Sequence, residues 1–201
     1  MKTIWKKEEI KIADELMELA PKLLDEFLAH HKDFYTTFKG GTPYSKVNKQ
    51  ALLDDKERVD WKIEGLRYVL PEKKIEENMF LQPSVRNIFP TACELTQKYI
   101  AHCGCSGYSV LEAGGVITRH SDIENHSRKT IRIHVPLIIP DGDVFFEVLG
   151  AEMDWSNLFA FDNGLLHSAY NKTQKRRLIY IIDISRSFLG ISSFEEGLIG
   201  S

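Results

Sequence analysis

The chain has 201 residues, a net charge of −3, 43% hydrophobic and 27% charged residues. That length suits a single domain able to bury about 70% of the surface its unfolded chain would expose. The slightly acidic balance excludes a general nucleic-acid binder, and the short basic cluster "KTQKRR" (172–177) reads as a solvated turn.

No apolar run near Met1 is long enough for a signal peptide or a membrane helix, so a cytoplasmic protein without a membrane partner is expected. On that expectation the sequons at Asn125 and Asn171 carry no glycan. Cys93, Cys103 and Cys105 are odd in number, which argues for reduced thiols. The run "HCGC" (102–105) is a poor zinc motif, because its two thiols are one residue apart and a structural site wants four ligands in wider pairs.

In chain order, Ile10, Ala13, Met17, Ala20, Leu24, Phe27 and Leu28 recur at helical spacing between Glu8 and His31. Pro21 either kinks this helix or begins a second one. Turn formers and charges fill 38–60, which reads as a long loop with room for one short helix. A further amphipathic helix is expected over 90–103, "PTACELTQKYIAHC", with Pro90 near its start. After Gly107 the pattern changes to short segments rich in β-branched and aromatic residues, at 108–113, 115–122, 130–139, 143–150, 157–163, 165–171 and 176–185. Such spacing predicts a sandwich or barrel, a jelly roll among the options. The expected layout is one domain with a helical support region (1–106), a β core (107–186) and a C-terminal tail (187–201).

Period-two alternation sorts the strand faces. Ile131, Ile133, Val135 and Leu137 share one face, and Arg132, His134 and Pro136 the other. In 177–183 both faces are largely apolar, so that strand is expected to be buried on both sides, with Arg177 beside Ile179, Ile181 and Asp183. An arginine there is costly unless it meets an anion, which points to a cavity.

His120 and Asp122 stand two apart in "TRHSD", and His167 closes a two-histidine, one-carboxylate set. Neutral imidazoles and a carboxylate suit Fe(II) with open positions for O₂ and a co-substrate. Arg177 follows His167 by ten residues, and its planar fork suits bidentate binding of a dicarboxylic co-substrate.

The segments "YSVLEAGGVITRHSD", "IRIHVPLIIP", "FAFDNGLLHSAYN" and "RRLIYIIDI" resemble, in order and spacing, the aspartyl/asparaginyl β-hydroxylase family of Fe(II)- and 2-oxoglutarate-dependent oxygenases. "NIFPTACELTQKYI" (87–100) fits more loosely. The resemblance implies a double-stranded β-helix, a distorted jelly roll of the cupin kind. It implies iron on His120 and His167, and the far carboxylate of 2-oxoglutarate on Arg177 and Ser109. Arg132 and His134 match the polar pair beside the oxoacid end of the co-substrate. Asp122 departs from the animal peptide hydroxylases, which hold iron with two histidines, and agrees with the wider superfamily, where this carboxylate completes the triad. An aspartate there argues for hydroxylation over halogenation.

The expected activity is hydroxylation of a C–H bond in a small amino-acid-like substrate, using Fe(II), 2-oxoglutarate and O₂. Hydroxylation of Asp or Asn in a peptide is the alternative within the enzyme class, and a non-catalytic cupin-like binding module is the alternative outside it. His126 is expected to be solvated, Asp141 and Asp143 to form a hairpin turn, and Asp162 to brace the turn before His167. Asp183 is placed near the cavity as a hydrogen-bond acceptor, and Trp5, Trp61 and Trp155 are expected to pack in the core or its rim.

Overall fold

A computed structural model describes residues 2–37, 59–70, 75–122 and 129–191. After a short strand β1 (Ile4–Lys6) and a 3-10 turn, helix α1 spans Ala13–Thr37. Ala13, Leu16, Ala20, Leu23 and Phe27 are buried at alternating three- and four-residue steps, forming one apolar stripe. Pro21 lies on the exposed side of α1, where water can take the backbone carbonyl that proline leaves unbonded, so the helix continues through it.

Strands β2 (Val59–Leu70) and β3 (Ile75–Asn78) precede helices α2 (Pro83–Ile88) and α3 (Pro90–Lys98). The N-terminus of α3 has no side-chain cap of its own. Glu26 of α1 supplies one, accepting from the Thr91 N–H at 2.6 Å and the Ala92 N–H at 3.3 Å. The helix is shorter than its apolar pattern suggests, because Cys103 already opens a strand.

That strand, β4 (Cys103–His120), joins two segments that the sequence separates. Its first half pairs with β10 (Arg177–Ser185) and its last residues with β9 (His167–Asn171). Between them Gly114 adopts φ +76°, and a side chain on Gly115 would meet Leu111 at 2.7 Å. The two glycines let one strand bend from one sheet layer into the other. The remaining strands are β5 (Thr130–Ile138), β6 (Val144–Val148), β7 (Ala151–Glu152) and β8 (Phe159–Phe161), and a short helix α4 (Arg186–Leu189) follows β10.

The order is β1-β8-β5-β10-β4-β9-β6-β7, with β2 paired to β4 and β3 on the side. Every pairing is antiparallel. The N-terminal region is therefore more than a helical support, since β1, β2 and β3 extend the sheet. Val59, Trp61 and Ile63 alternate with Asp60, Lys62 and Glu64 in the first half of β2, a period-two pattern that breaks at Gly65. Most of the predicted 38–60 loop, His126 and Asn125 lie outside the described residues.

The sheet has two unlike faces. Ile131, Ile133 and Val135 of β5 and Leu178, Tyr180, Ile182 and Ile184 of β10 pack with the buried residues of α1 and α3 into the main core. The opposite face carries Arg132, His134, Arg177, Ile179 and Ile181 and lines a cavity closed by Phe146 and Phe161. This is the double-stranded β-helix, a mainly antiparallel distorted barrel backed by the N-terminal helix. Among the described residues no helix is long and apolar enough to cross a membrane.

Candidate active site

His120 ends β4 and His167 begins β9, and the two are register partners across that pair of strands. Directly paired residues on adjacent strands project their side chains together, and the imidazole centroids here are 4.3 Å apart. Beyond β4, the Asp122 N–H donates to the Asn163 carbonyl at 2.9 Å, which holds Asp122 beside the same opening. Ligand atoms of His120, Asp122 and His167 all lie within 4.8 Å of one another. No other His, Cys, Asp or Glu group is so placed among the described residues.

Backbone carbonyls set the tautomer of both histidines. His120 Nδ1 donates to the Thr118 carbonyl at 2.7 Å, and His167 Nδ1 to the Leu165 carbonyl at 2.8 Å. With the proton fixed on Nδ1, each neutral ring keeps its lone pair on Nε2, the arrangement metal-binding histidines need. Burial pushes the His167 pKa down to about 4, against the opposing pull of Asp122. Burial also pushes Asp122 up, but the Arg132 guanidinium, His167, His120 and the Asn163 amide outweigh it and hold the carboxyl at about 2. At neutral pH His167 is a neutral imidazole and Asp122 a carboxylate, and with His120 they make a donor set of the kind that fits a divalent metal.

The cavity runs from this cluster to Arg177. Arg177 is 1% exposed, and its Nε and Nη1 have no hydrogen-bond partner. Its guanidinium lies 5.3 Å from the Trp155 ring, a cation–π contact. Burial pushes its pKa down to about 9, so it stays charged at neutral pH. Ser109 is buried on the same face, and its Oγ accepts from Trp61 Nε1 at 3.0 Å. His134 stands between the two ends, against Phe146, Phe159 and Phe161, with Nδ1 unpartnered. Desolvation first, then the neighbouring Arg177 and Arg132 charges, hold its pKa well below the usual histidine range, so it is neutral.

Arg132 also lines the cavity, but carboxylates hold its guanidinium. Its Nε and Nη2 donate to the two Asp183 oxygens at 2.8 and 2.9 Å, and Nη1 donates to Asp122 Oδ2 at 2.6 Å. All seven residues singled out from the sequence thus lie at one cavity or its mouth. Sequence reasoning missed Asn163, hidden in the turn formers of "FDNG", which donates to Asp122 Oδ2 at 3.0 Å. It also missed the part of Trp61, which forms cavity wall through its bond to Ser109. Asp162 braces the turn before His167 by accepting from the Gly164 N–H and Arg186. The three cysteines are buried free thiols and take no part in the cluster.

A family model for aspartyl/asparaginyl β-hydroxylase matches residues 11–187. The chain belongs to the aspartyl/asparaginyl β-hydroxylase family. Family membership carries with it an oxygenase-type function. No curated protein matches the sequence. Similar solved structures include a predicted oxalate decarboxylase from Thermotoga maritima, at 15% identity and TM-score 0.35, covering 45% of this chain and 73% of that one. A cupin 2 conserved barrel domain protein from Salinispora arenicola aligns at 14% identity and TM-score 0.30, covering 43% and 66%. An oxalate oxidase aligns at 12% identity and TM-score 0.35, covering 63% and 52%.

Proposed function

We propose that this hydroxylase-family chain is an Fe(II)- and 2-oxoglutarate-dependent dioxygenase that hydroxylates a C–H bond of a small amino-acid-like substrate. The observation that carries the reading is one cavity with a two-histidine, one-carboxylate cluster at one end and, at the other, a buried arginine whose Nε and Nη1 find no hydrogen-bond partner among the described residues. A buried guanidinium without an anion is costly, and a dicarboxylate reaching from the cluster would remove that cost. A site built only to hold a metal has no use for such a group.

His120, Asp122 and His167 would hold Fe(II), which when bound supplies the O₂-dependent oxidation that converts 2-oxoglutarate to succinate and CO₂ and the substrate C–H to C–OH. Arg177 pairs with the far carboxylate through its planar fork, and Ser109, oriented by Trp61, adds a hydroxyl donor. Ile63, Ile117, Ile179 and Ile181 keep water off that contact and strengthen it. Neutral His134 presents a ring nitrogen to the middle of the cavity without adding charge. Three buried free thiols suit a reducing, cytoplasmic setting.

The family's name favours a second reading, in which the substrate is an Asp or Asn side chain within a peptide. Succinate release with Fe(II), 2-oxoglutarate and O₂, scored over free amino acids and Asp- or Asn-containing peptides, tests both. Stimulation above the uncoupled background by one class identifies the substrate. No 2-oxoglutarate consumption under any condition would sink the dioxygenase reading.

A further inference from the structure

We propose that Asp183 and Arg132 form a buried arm that positions Asp122 as a one-oxygen metal ligand. This rests on the reading of Asp122 as a ligand and adds what holds it there.

Asp183 on β10 and Arg132 on β5 are register partners, so their side chains meet on the cavity face. Asp183 is 1% exposed, and its two oxygens take the Nε–H and an Nη2–H of Arg132 in parallel. A two-point contact of this kind fixes the plane of the guanidinium. The edge that remains, Nη1, donates to Asp122 Oδ2 at 2.6 Å. Asn163 Nδ2 donates to the same oxygen at 3.0 Å, and the Asn163 carbonyl holds the Asp122 N–H. Both side-chain donors therefore sit on Oδ2, which leaves Oδ1 turned towards His120 Nε2 at 3.6 Å.

Asp122 needs such a hold. It lies just past the end of β4, and its side chain is about a third exposed (32%). With Oδ2 pinned, the carboxylate offers one oxygen to the cluster and cannot swing out to water or chelate through both. The arm also separates the two cavity arginines by role. Arg132 acts through Asp122 as a positioning residue, while Arg177 has free donors for a ligand.

The test uses the metal alone: Co(II) titrated into the metal-free full chain under nitrogen, read by absorption, without turnover. Partners that orient metal ligands are worth about 10- to 100-fold in affinity. Asp183→Asn is expected to weaken Co(II) by that range. In an Asp122→Gly background the same change is expected to have no further effect, because the arm has nothing left to position. Arg132→Met with Asp183→Leu removes both buried charges at similar volume, keeps the fold if Asp183→Asn does not, and is expected to show the same loss. Thermal melts confirm that each variant is folded. An unchanged Co(II) affinity in folded Asp183→Asn or in the paired variant, with Asp122→Gly weakened, overturns the arm alone. Equal losses with and without Asp122 overturn it too, since the effect then runs elsewhere. If Asp122→Gly itself binds Co(II) like the parent, the ligand reading fails and the arm fails with it.

Discussion

The two ends of the cavity treat their polar atoms in opposite ways. At the metal end both imidazole Nδ1 atoms donate to carbonyls, and Asp122 is held by Arg132 and Asn163. At the deep end Arg177 leaves Nε and Nη1 without partners, and His134 leaves Nδ1. Arg132 and Arg177 are both buried on neighbouring strands of one sheet, yet among the described residues one meets two carboxylates and the other meets none. On the function proposed above, the first end is complete before a metal arrives, and the second leaves open the contact that a ligand completes.

The harshest way to break the metal end is His167→Ala. The remaining two groups would hold a metal poorly, so succinate release is expected to fall to background. Retained turnover would remove His167 from the site and turn attention to His126.

A stability comparison then separates the two arginines without any substrate. Arg132→Met strands Asp183 as a buried, uncompensated carboxylate and is expected to cost about 3–5 kcal/mol. Arg177→Met deletes buried donors that lack partners and is expected to be neutral or to stabilise the ligand-free protein by about 1–3 kcal/mol. Chemical denaturation of both variants checks this, and equal destabilisation would contradict the contrast.

Glu64 shows what burial does to a carboxyl away from the cavity. It lies on the face of β2 opposite Trp61 and Ile63, is buried, and has no partner for Oε1. Burial pushes its pKa up to about 8, so the folded state keeps it protonated at neutral pH. The folded state binds this proton more tightly than the unfolded chain, whose carboxyl titrates near 4.5. Stability therefore falls as pH rises from about 4.5 to about 8 and levels off above, by an amount on the order of a few kcal/mol. Glu64→Gln is expected to flatten this slope in melts across pH 5–9, and an unchanged slope would refute the assignment.

The smallest effect is expected at Ser109. Ser109→Ala removes one neutral donor and is expected to weaken 2-oxoglutarate by about 0.5–1.5 kcal/mol, roughly 2- to 10-fold. Loss as large as that of an Arg177 variant would mean the hydroxyl, not the guanidinium, dominates the deep end.

Much of this contrast is legible in the sequence. The alternation in β5 and β10 places Arg132, His134 and Arg177 on one face, because period-two patterning survives wherever the opposite face must pack under helices. The pairing of His120 with His167 is not legible, since it depends on how β4 bends at Gly114 to reach β9. Nor is the Asp183–Arg132–Asp122 chain, which links a register pair of β10 and β5 to a residue just past the end of β4. In β2 the alternation of Val59, Trp61 and Ile63 with Asp60, Lys62 and Glu64 is a legible strand signal, but the burial of Glu64 and Arg67 is not. Arg67 is covered because its Nε donates to the Cys103 carbonyl at 2.7 Å, a tertiary contact without a local signature.

On the proposed function the deep end of the cavity is built to receive a dicarboxylate. Calorimetric titration of 2-oxoglutarate into the Mn(II)-loaded chain under nitrogen, for the parent and Arg177→Ala, tests it most directly. A charge-assisted bidentate contact is worth about 1.5–3 kcal/mol, so affinity is expected to fall about 10- to 150-fold while Mn(II) binding is retained. Equal 2-oxoglutarate affinity in the two proteins would contradict the account.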